Sequence, residues 1–135
     1  LRRGMNGNVS EWLGAVDGLP SVHERLRRVM IENMDGVKLI QREDTKDTLH
    51  YVDAPYPSET RVSKDVYQYE MTDQQHLDLL DVVKQCQGKV MLSSYLCSMY
   101  EQALASWNRH TFTIANHASG KKTKEKKQEI LWCNF

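Results

Sequence analysis

The sequence predicts an α/β fold, in which a mostly parallel sheet carries helices on its faces and ends in an antiparallel hairpin. Two observations support this prediction. Short apolar or alternating segments of strand length follow segments of helical periodicity along the chain. This alternation is typical of parallel strands joined by helical connections. The last two strand-like segments are joined by a short polar loop, which indicates a hairpin at the sheet edge.

The amino-terminal part is expected to differ from the rest. Residues 1–18 are rich in glycine and asparagine and predict a loop, so the compact region is expected to span residues 19–135. A helix is expected from Leu19 onward, because Pro20 suits a first helical turn. Residues 29–31 are open to two interpretations, the end of that helix or a short strand that leaves it.

Capping signals place the next helices. Asp35 is a favourable N-cap for a short helix over residues 37–42. Thr72 and Gln75 have the spacing of a capping box, and Gly88 is expected to end the helix that they begin. The other predicted elements are strands over residues 49–53, 89–93, 111–115 and 129–135, and a helix over residues 95–107.

Composition narrows the class of protein. The 135 residues have a formal net charge of zero, which argues against binding nucleic acid by bulk charge alone. No apolar stretch approaches the roughly 20 residues of a membrane helix, so no membrane partner is expected. The three cysteines are widely spaced without a C-x-x-C pair, and the histidines are scattered. We therefore expect no disulfide framework and no metal site, and a reducing compartment.

One tetrapeptide carries chemistry, Asp53-Ala54-Pro55-Tyr56, which follows the first predicted strand. In open α/β sheets, ligands bind at the carboxyl ends of strands. Ala54 precedes a proline and is restricted to extended conformations, so its carbonyl is free to accept a hydrogen bond from a ligand. Asp53 offers a second acceptor and Tyr56 a flat ring for stacking. The alternative is an ordinary turn after a strand.

Two acceptors beside a ring suit an exocyclic amino group on a flat heterocycle, such as N6 of adenine. Acceptors on both N–H bonds stabilise the charge that develops when this nitrogen attacks a methyl group. In a duplex the atom is out of reach, so the base must be flipped out of the helix and held by stacking.

Six blocks of the sequence, in chain order, are similar to one family of enzymes. They are residues 19–20 with 23–26, 31–35, 51–56 with 59–61, 69–73 with His76, 88–95 and 129–135. Over residues 19–135 the chain resembles the D12 class of adenine-specific DNA methyltransferases, the Dam-like enzymes of bacteria and phages. The resemblance implies a partial Rossmann-like methyltransferase fold, S-adenosylmethionine as methyl donor, double-stranded DNA as substrate and a cytoplasmic location.

The resemblance also implies roles for individual residues. Asp53 and the Ala54 carbonyl would hold N6 of the target adenine, and Tyr56 would stack on the base. Asp53 would also lie near the methionine part of the cofactor, while Asp35 and Gly36 would pass its adenosine end. Thr60 and Arg61 would contact the DNA backbone. A basic run that includes Lys121, Lys122 and Lys124 is interpreted either as a phosphate-binding surface or as a solvated loop.

The chain departs from the family pattern at three points. Ala54 replaces the first proline of D-P-P-Y, and Ser94 stands where the family usually has glycine. The family's Gly-rich F-x-G-x-G loop and target-recognition insert are not found in this sequence. We therefore expect the carboxyl-terminal portion of such an enzyme, with weak or no cofactor binding by itself. The alternative is an inactive DNA-binding or assembly remnant. Either version could pair with the missing amino-terminal half, or with a second copy, through an exposed sheet edge.

Overall fold

The computed structural model describes residues 7–60, 68–115 and 126–135. They form two compact units, Leu1–Asn33 and Met34–Phe135. None of the described helices combines the length and the apolarity that crossing a bilayer requires.

The first unit contains one long helix, α1 (Gly7–Leu26). The loop predicted for residues 1–18 is therefore wrong over residues 7–18, and residues 1–6 lie outside the described part. Val9, Trp12 and Val16 recur along it at helical spacing, and all three side chains are exposed. Pro20 lies inside the helix and not in its first turn. Residues 29–31 form neither helix nor strand.

The second unit carries the sheet and three further helices among its described residues. Its helices are α2 (Gly36–Glu43), α3 (Asp73–Gln85) and α4 (Ser98–Ala103), with a 3₁₀ turn at Ser58–Thr60. Its strands are β1 (Leu49–Val52), β2 (Lys89–Tyr95), β3 (Asn108–Ala115) and β4 (Lys126–Cys133).

Both predicted helix caps are confirmed. The Asp35 side chain accepts a hydrogen bond from the backbone N–H of Lys38, at 3.0 Å, and so begins α2. Thr72 and Gln75 form the full capping box at the start of α3. That helix ends at Gln85 with Cys86 as its C-cap, before the glycine that was expected to end it.

The sheet is mixed, with the strand order β1-β2-β4-β3. β1 runs parallel to β2, whereas β4 runs antiparallel to both β2 and β3. The expectation of a mostly parallel sheet is wrong, because parallel neighbours need a long crossover and only β1 and β2 have one that contains a long helix. The carboxyl-terminal hairpin is confirmed, but β4 lies inside the sheet and β3 at its edge.

Two predicted element boundaries in the carboxyl-terminal third of the chain differ from the structure. The helix predicted over residues 95–107 is limited to α4, because β2 continues through Tyr95 and β3 already begins at Asn108. The last strand begins at Lys126, so the end of the predicted basic loop belongs to β4. The basic loop was expected over residues 120–127, and its residues 120–125 lie outside the described part.

One apolar core holds the second unit together. Leu92 of β2 pairs with Val52 on one side and with Trp132 of β4 on the other, so these side chains share a face of the sheet. The buried core residues are Ile40, Leu79, Leu80, Val83, Val90, Leu92, Cys97, Tyr100, Leu104, Ile130 and Trp132. Within this core, His76 Nδ1 and the Tyr100 hydroxyl lie 2.9 Å apart in a buried hydrogen bond.

The outer edge of the sheet differs from this core. β1 is an edge strand, and its Leu49 and Tyr51 side chains are 57% and 63% exposed. Between them, His50 is buried, so β1 buries one face only.

Candidate active site

The tetrapeptide Asp53–Tyr56 lies where the sequence predicts, directly after the carboxyl end of β1. Because β1 and β2 are parallel, the carboxyl end of β1 lies beside the second half of β2. The side chains that surround the tetrapeptide come from that half of β2 and from β4.

Ser93 of β2 holds Asp53 in place. Its hydroxyl donates a hydrogen bond to Asp53 Oδ1 at 2.8 Å and lies 3.3 Å from the Val52 carbonyl oxygen. Ser93 is buried, whereas Asp53 is exposed. The carboxylate is therefore fixed through one oxygen and remains accessible to a ligand. Sequence analysis assigned no role to Ser93, because only the pairing of two distant segments brings it next to Asp53.

Glu129 and Tyr95 hold the ring of Tyr56. The Tyr56 hydroxyl donates to Glu129 Oε1 at 2.7 Å, and its ring meets the Tyr95 ring edge-on, with centroids 4.5 Å apart. Tyr95 and Glu129 are register partners in the β2–β4 ladder. The strand that the hairpin inserts into the sheet therefore supplies the partner that orients Tyr56. The only sequence signal for Glu129 is a charged residue in front of an otherwise apolar strand.

The electrostatics around Tyr56 link it to Asp53. Burial raises the pKa of the Tyr56 phenol far above its usual range, and the hydrogen bond to Glu129 raises it further. The Asp53 carboxylate adds a smaller rise. Tyr56 is thus a neutral hydrogen-bond donor at physiological pH.

The turn that follows Tyr56 is held by Pro57 and Thr60. Pro57 is fully buried, and its carbonyl oxygen accepts hydrogen bonds from Thr60 N at 3.0 Å and Thr60 Oγ1 at 2.7 Å. Thr60, a candidate DNA contact, therefore uses its hydroxyl proton within the turn. Among the described residues, nothing donates a hydrogen bond to the Ala54 carbonyl.

Ser94 has a structural role. It is fully buried, and its Oγ accepts a hydrogen bond from the Trp132 indole N–H at 2.9 Å. A glycine at this position would leave the buried indole N–H without this acceptor. The serine is therefore matched to the tryptophan of β4.

The remaining candidates are not joined to the tetrapeptide. Asp35 and Gly36 lie at the beginning of α2, where the Asp35 carboxylate serves as the N-cap. No hydrogen bond or ion pair between described residues connects them with Asp53. Arg61, Lys121, Lys122 and Lys124 lie outside the described residues.

No family model matches this chain, and no curated protein matches it either. What the site can do is set by its own residues. Three groups lie together after the carboxyl end of β1: the exposed Asp53 carboxylate, the Ala54 carbonyl and the partly exposed Tyr56 ring. The Ala54 carbonyl accepts no hydrogen bond from a described residue. Together, the three groups can accept two hydrogen bonds from an amino group and cover the flat face of its ring.

Proposed function

We propose that this chain is the carboxyl-terminal part of the catalytic domain of an adenine-specific DNA methyltransferase that resembles the D12 class. The enzyme would act in the cytoplasm on double-stranded DNA, and its Rossmann-like sheet would be completed by a preceding region. The observation that supports this most is the geometry after the carboxyl end of β1, where Ser93 holds the exposed Asp53 carboxylate and Glu129 holds the Tyr56 phenol.

The proposed role of the site is to hold a flipped adenine. The exposed Asp53 carboxylate and the Ala54 carbonyl accept the two N–H bonds of N6, while the Tyr56 ring stacks on the purine. S-adenosylmethionine, when bound, would supply the methyl group and leave as S-adenosylhomocysteine. The two acceptors would stabilise the positive charge on N6 until one of its protons is lost. The hydrogen bond from Tyr56 to Glu129 fixes the ring before the base arrives, which reduces the ordering needed on binding.

No hydrogen bond or ion pair between described residues brings the expected S-adenosylmethionine contacts Asp35 and Asp53 together. The Asp35 carboxylate is already used as a helix cap, and Asp53 is the one remaining candidate near the motif. We propose that a preceding region supplies the cofactor pocket. The free edge of β1 suits this arrangement, because the next strand of such a sheet would pair there. A second copy of the chain is the competing occupant of that edge.

The test combines the chain with the region encoded just upstream of it. Duplex DNA is incubated with both parts and with S-adenosylmethionine labelled in its methyl group, and N6-methyladenine is quantified by mass spectrometry of the nucleosides. Asp53→Asn keeps the shape of the side chain but removes its charge, and we expect methylation to fall on the order of 100-fold. Asp81→Asn, on the exposed surface of α3, is the matched control and should methylate like the wild type.

The same assay separates the alternative function. An assembled pair of parts that binds DNA but transfers no methyl group would show an inactive DNA-binding or assembly remnant. Equal methylation by the Asp53→Asn variant and the wild type would exclude Asp53 as the acceptor for N6.

A further inference from the structure

Asp44, His50 and Cys86 meet at the other end of β1, away from the tetrapeptide. Asp44 follows α2, His50 belongs to β1, and Cys86 caps the end of α3. One donor atom from each side chain lies within 4.8 Å of the other two. These residues are scattered in the sequence, where no metal site was expected. They come together only because three elements pack against one another.

The distance between the first two ligand atoms fits a tetrahedral cation site. His50 Nε2 lies 3.3 Å from Asp44 Oδ1, in a hydrogen bond that a cation bound between the two atoms would replace. Two ligand atoms that each lie about 2.0–2.1 Å from a tetrahedral zinc ion are separated by about 3.3 Å. The side chains of His50 and Asp44 are only 8% and 13% exposed, so both are held by packing before any cation binds.

The surroundings of Asp44 orient its carboxylate. Its Oδ2 accepts the backbone N–H of Gln87 at 2.8 Å, and its Oδ1 accepts that of Gly88 at 3.0 Å. These two backbone hydrogen bonds lower the pKa of the Asp44 carboxyl. Outer hydrogen bonds of this kind fix the ligating groups in many metal sites.

Cys86 does not suit the role of an activated nucleophile. Its thiol lies 3.5 Å from the Val82 carbonyl oxygen, to which it donates. Burial and the nearby Asp44 carboxylate raise the pKa of the Cys86 thiol, whereas a reactive cysteine has a lowered one. A divalent cation that binds Cys86 would displace the thiol proton into solution.

Space for a further ligand lies beside the cluster. A cleft of about 140 Å³ is lined by Asp44 and Cys86, together with Gln41, Val82 and Gln85. The cleft is large enough to hold a water molecule, which could take the fourth position of a tetrahedral site. Imidazole, thiolate and carboxylate ligands together favour zinc over magnesium or calcium, which prefer oxygen ligands alone.

We propose that Asp44, His50 and Cys86 bind a zinc ion, with the fourth position open to this cleft. The ion would join the ends of α2 and α3 to β1. The site is separate from the tetrapeptide, because His50 precedes Asp53 by three residues, which is about 10 Å along an extended chain. The proposal therefore does not depend on the proposed methyltransferase activity.

Cobalt serves as the spectroscopic probe for this site. The whole chain is freed of metal, kept reduced with a phosphine, and titrated with Co²⁺. We expect one equivalent to produce a thiolate-to-cobalt charge-transfer band and the intense visible bands of tetrahedral cobalt, and we expect zinc to displace both. Native mass spectrometry should show one zinc ion per chain.

Matched variants make the test specific. Cys86→Ser should lose the charge-transfer band, and His50→Gln should weaken zinc binding by more than about 100-fold. Cys133→Ser and the exposed His110→Gln remove the same residue types elsewhere and should bind like the wild type. Far-UV circular dichroism identifies any variant that fails to fold. If the buried Cys133→Ser does not fold, His110→Gln serves as the control. Absence of the charge-transfer band in the folded wild type, or an unchanged band in Cys86→Ser, would overturn the proposal.

Discussion

Replacing Gly88 with alanine tests the packing at the amino end of the β1–β2 pair. A Cβ atom added at Gly88 would lie 2.6 Å from the Thr48 carbonyl oxygen and 2.7 Å from that of Thr45. Both oxygen atoms belong to the backbone, so rotation of a side chain cannot relieve these two close contacts. They are also fixed by hydrogen bonds, because Thr48 N donates to the Thr45 oxygen at 3.1 Å and Lys89 N to the Thr48 oxygen at 2.9 Å.

The expected loss of stability follows from these contacts. Ordinary contacts begin near 3.4 Å, so the loop must move by several tenths of an ångström. Overpacking of this kind costs about 1–3 kcal/mol, and loss of the hydrogen bond between Lys89 N and the Thr48 oxygen adds about 1 kcal/mol. The free energy of unfolding should therefore fall by about 2–4 kcal/mol. For a unit of about 100 residues, this corresponds to a decrease in Tm of roughly 10–20 °C.

Thermal unfolding followed by circular dichroism measures this decrease. Gly36→Ala is the matched control, because its Cβ would meet open space at the beginning of α2. Its free energy of unfolding should stay within about 1 kcal/mol of the wild type, since alanine favours helix. A Gly88→Ala protein that melts within about 2 °C of the wild type would refute the close approach of the two carbonyl groups.

Two further predictions concern the core. Ser94→Ala removes the acceptor of the Trp132 indole N–H and should lower the free energy of unfolding by about 1–3 kcal/mol in urea titrations; no change would show that the indole finds another acceptor. Tyr100→Phe removes the buried partner of His76 Nδ1 and should cost a similar amount at neutral pH. Burial raises the pKa of the Tyr100 phenol, so the folded wild type retains a proton that the unfolded chain loses above about pH 10. Stability should therefore fall as the pH rises above that value, and less steeply in Tyr100→Phe, which urea titrations between pH 8 and about 11 would measure.

Local signals in the sequence were sufficient for the caps and for the strand that carries the tetrapeptide. Asp35 and Thr72 each act on backbone groups within one turn, so their spacing alone predicts the helix start. The error over residues 7–18 has a different origin. The loop prediction for these residues rests on their glycine content. The recurrence of Val9, Trp12 and Val16 at helical spacing is the stronger signal, and it indicates the helix that the structure has.

The order of the strands could not be derived from such local signals. A short connection predicts that β3 and β4 pair, but it does not say which of them lies beside β2. That choice depends on side chains distant in sequence, since β4 places Glu129 against Tyr56 and Trp132 against Ser94. For the same reason the tetrapeptide was predictable, whereas the residues that hold it were not.

Both proposed sites depend on β1, a strand of four residues that pairs on one side only within the described part of the chain. Ser93 of β2 fixes Asp53 after its carboxyl end, and the turn at Gly88 fixes Asp44 near its amino end. A perturbation of the shared β1–β2 ladder should therefore reach both sites, while a change at one end should not. Gly88→Ala is expected to weaken zinc binding along with stability, whereas Asp53→Asn should leave the cobalt spectrum unchanged. Loss of the cobalt bands in Asp53→Asn would mean that the two ends of β1 do not act independently.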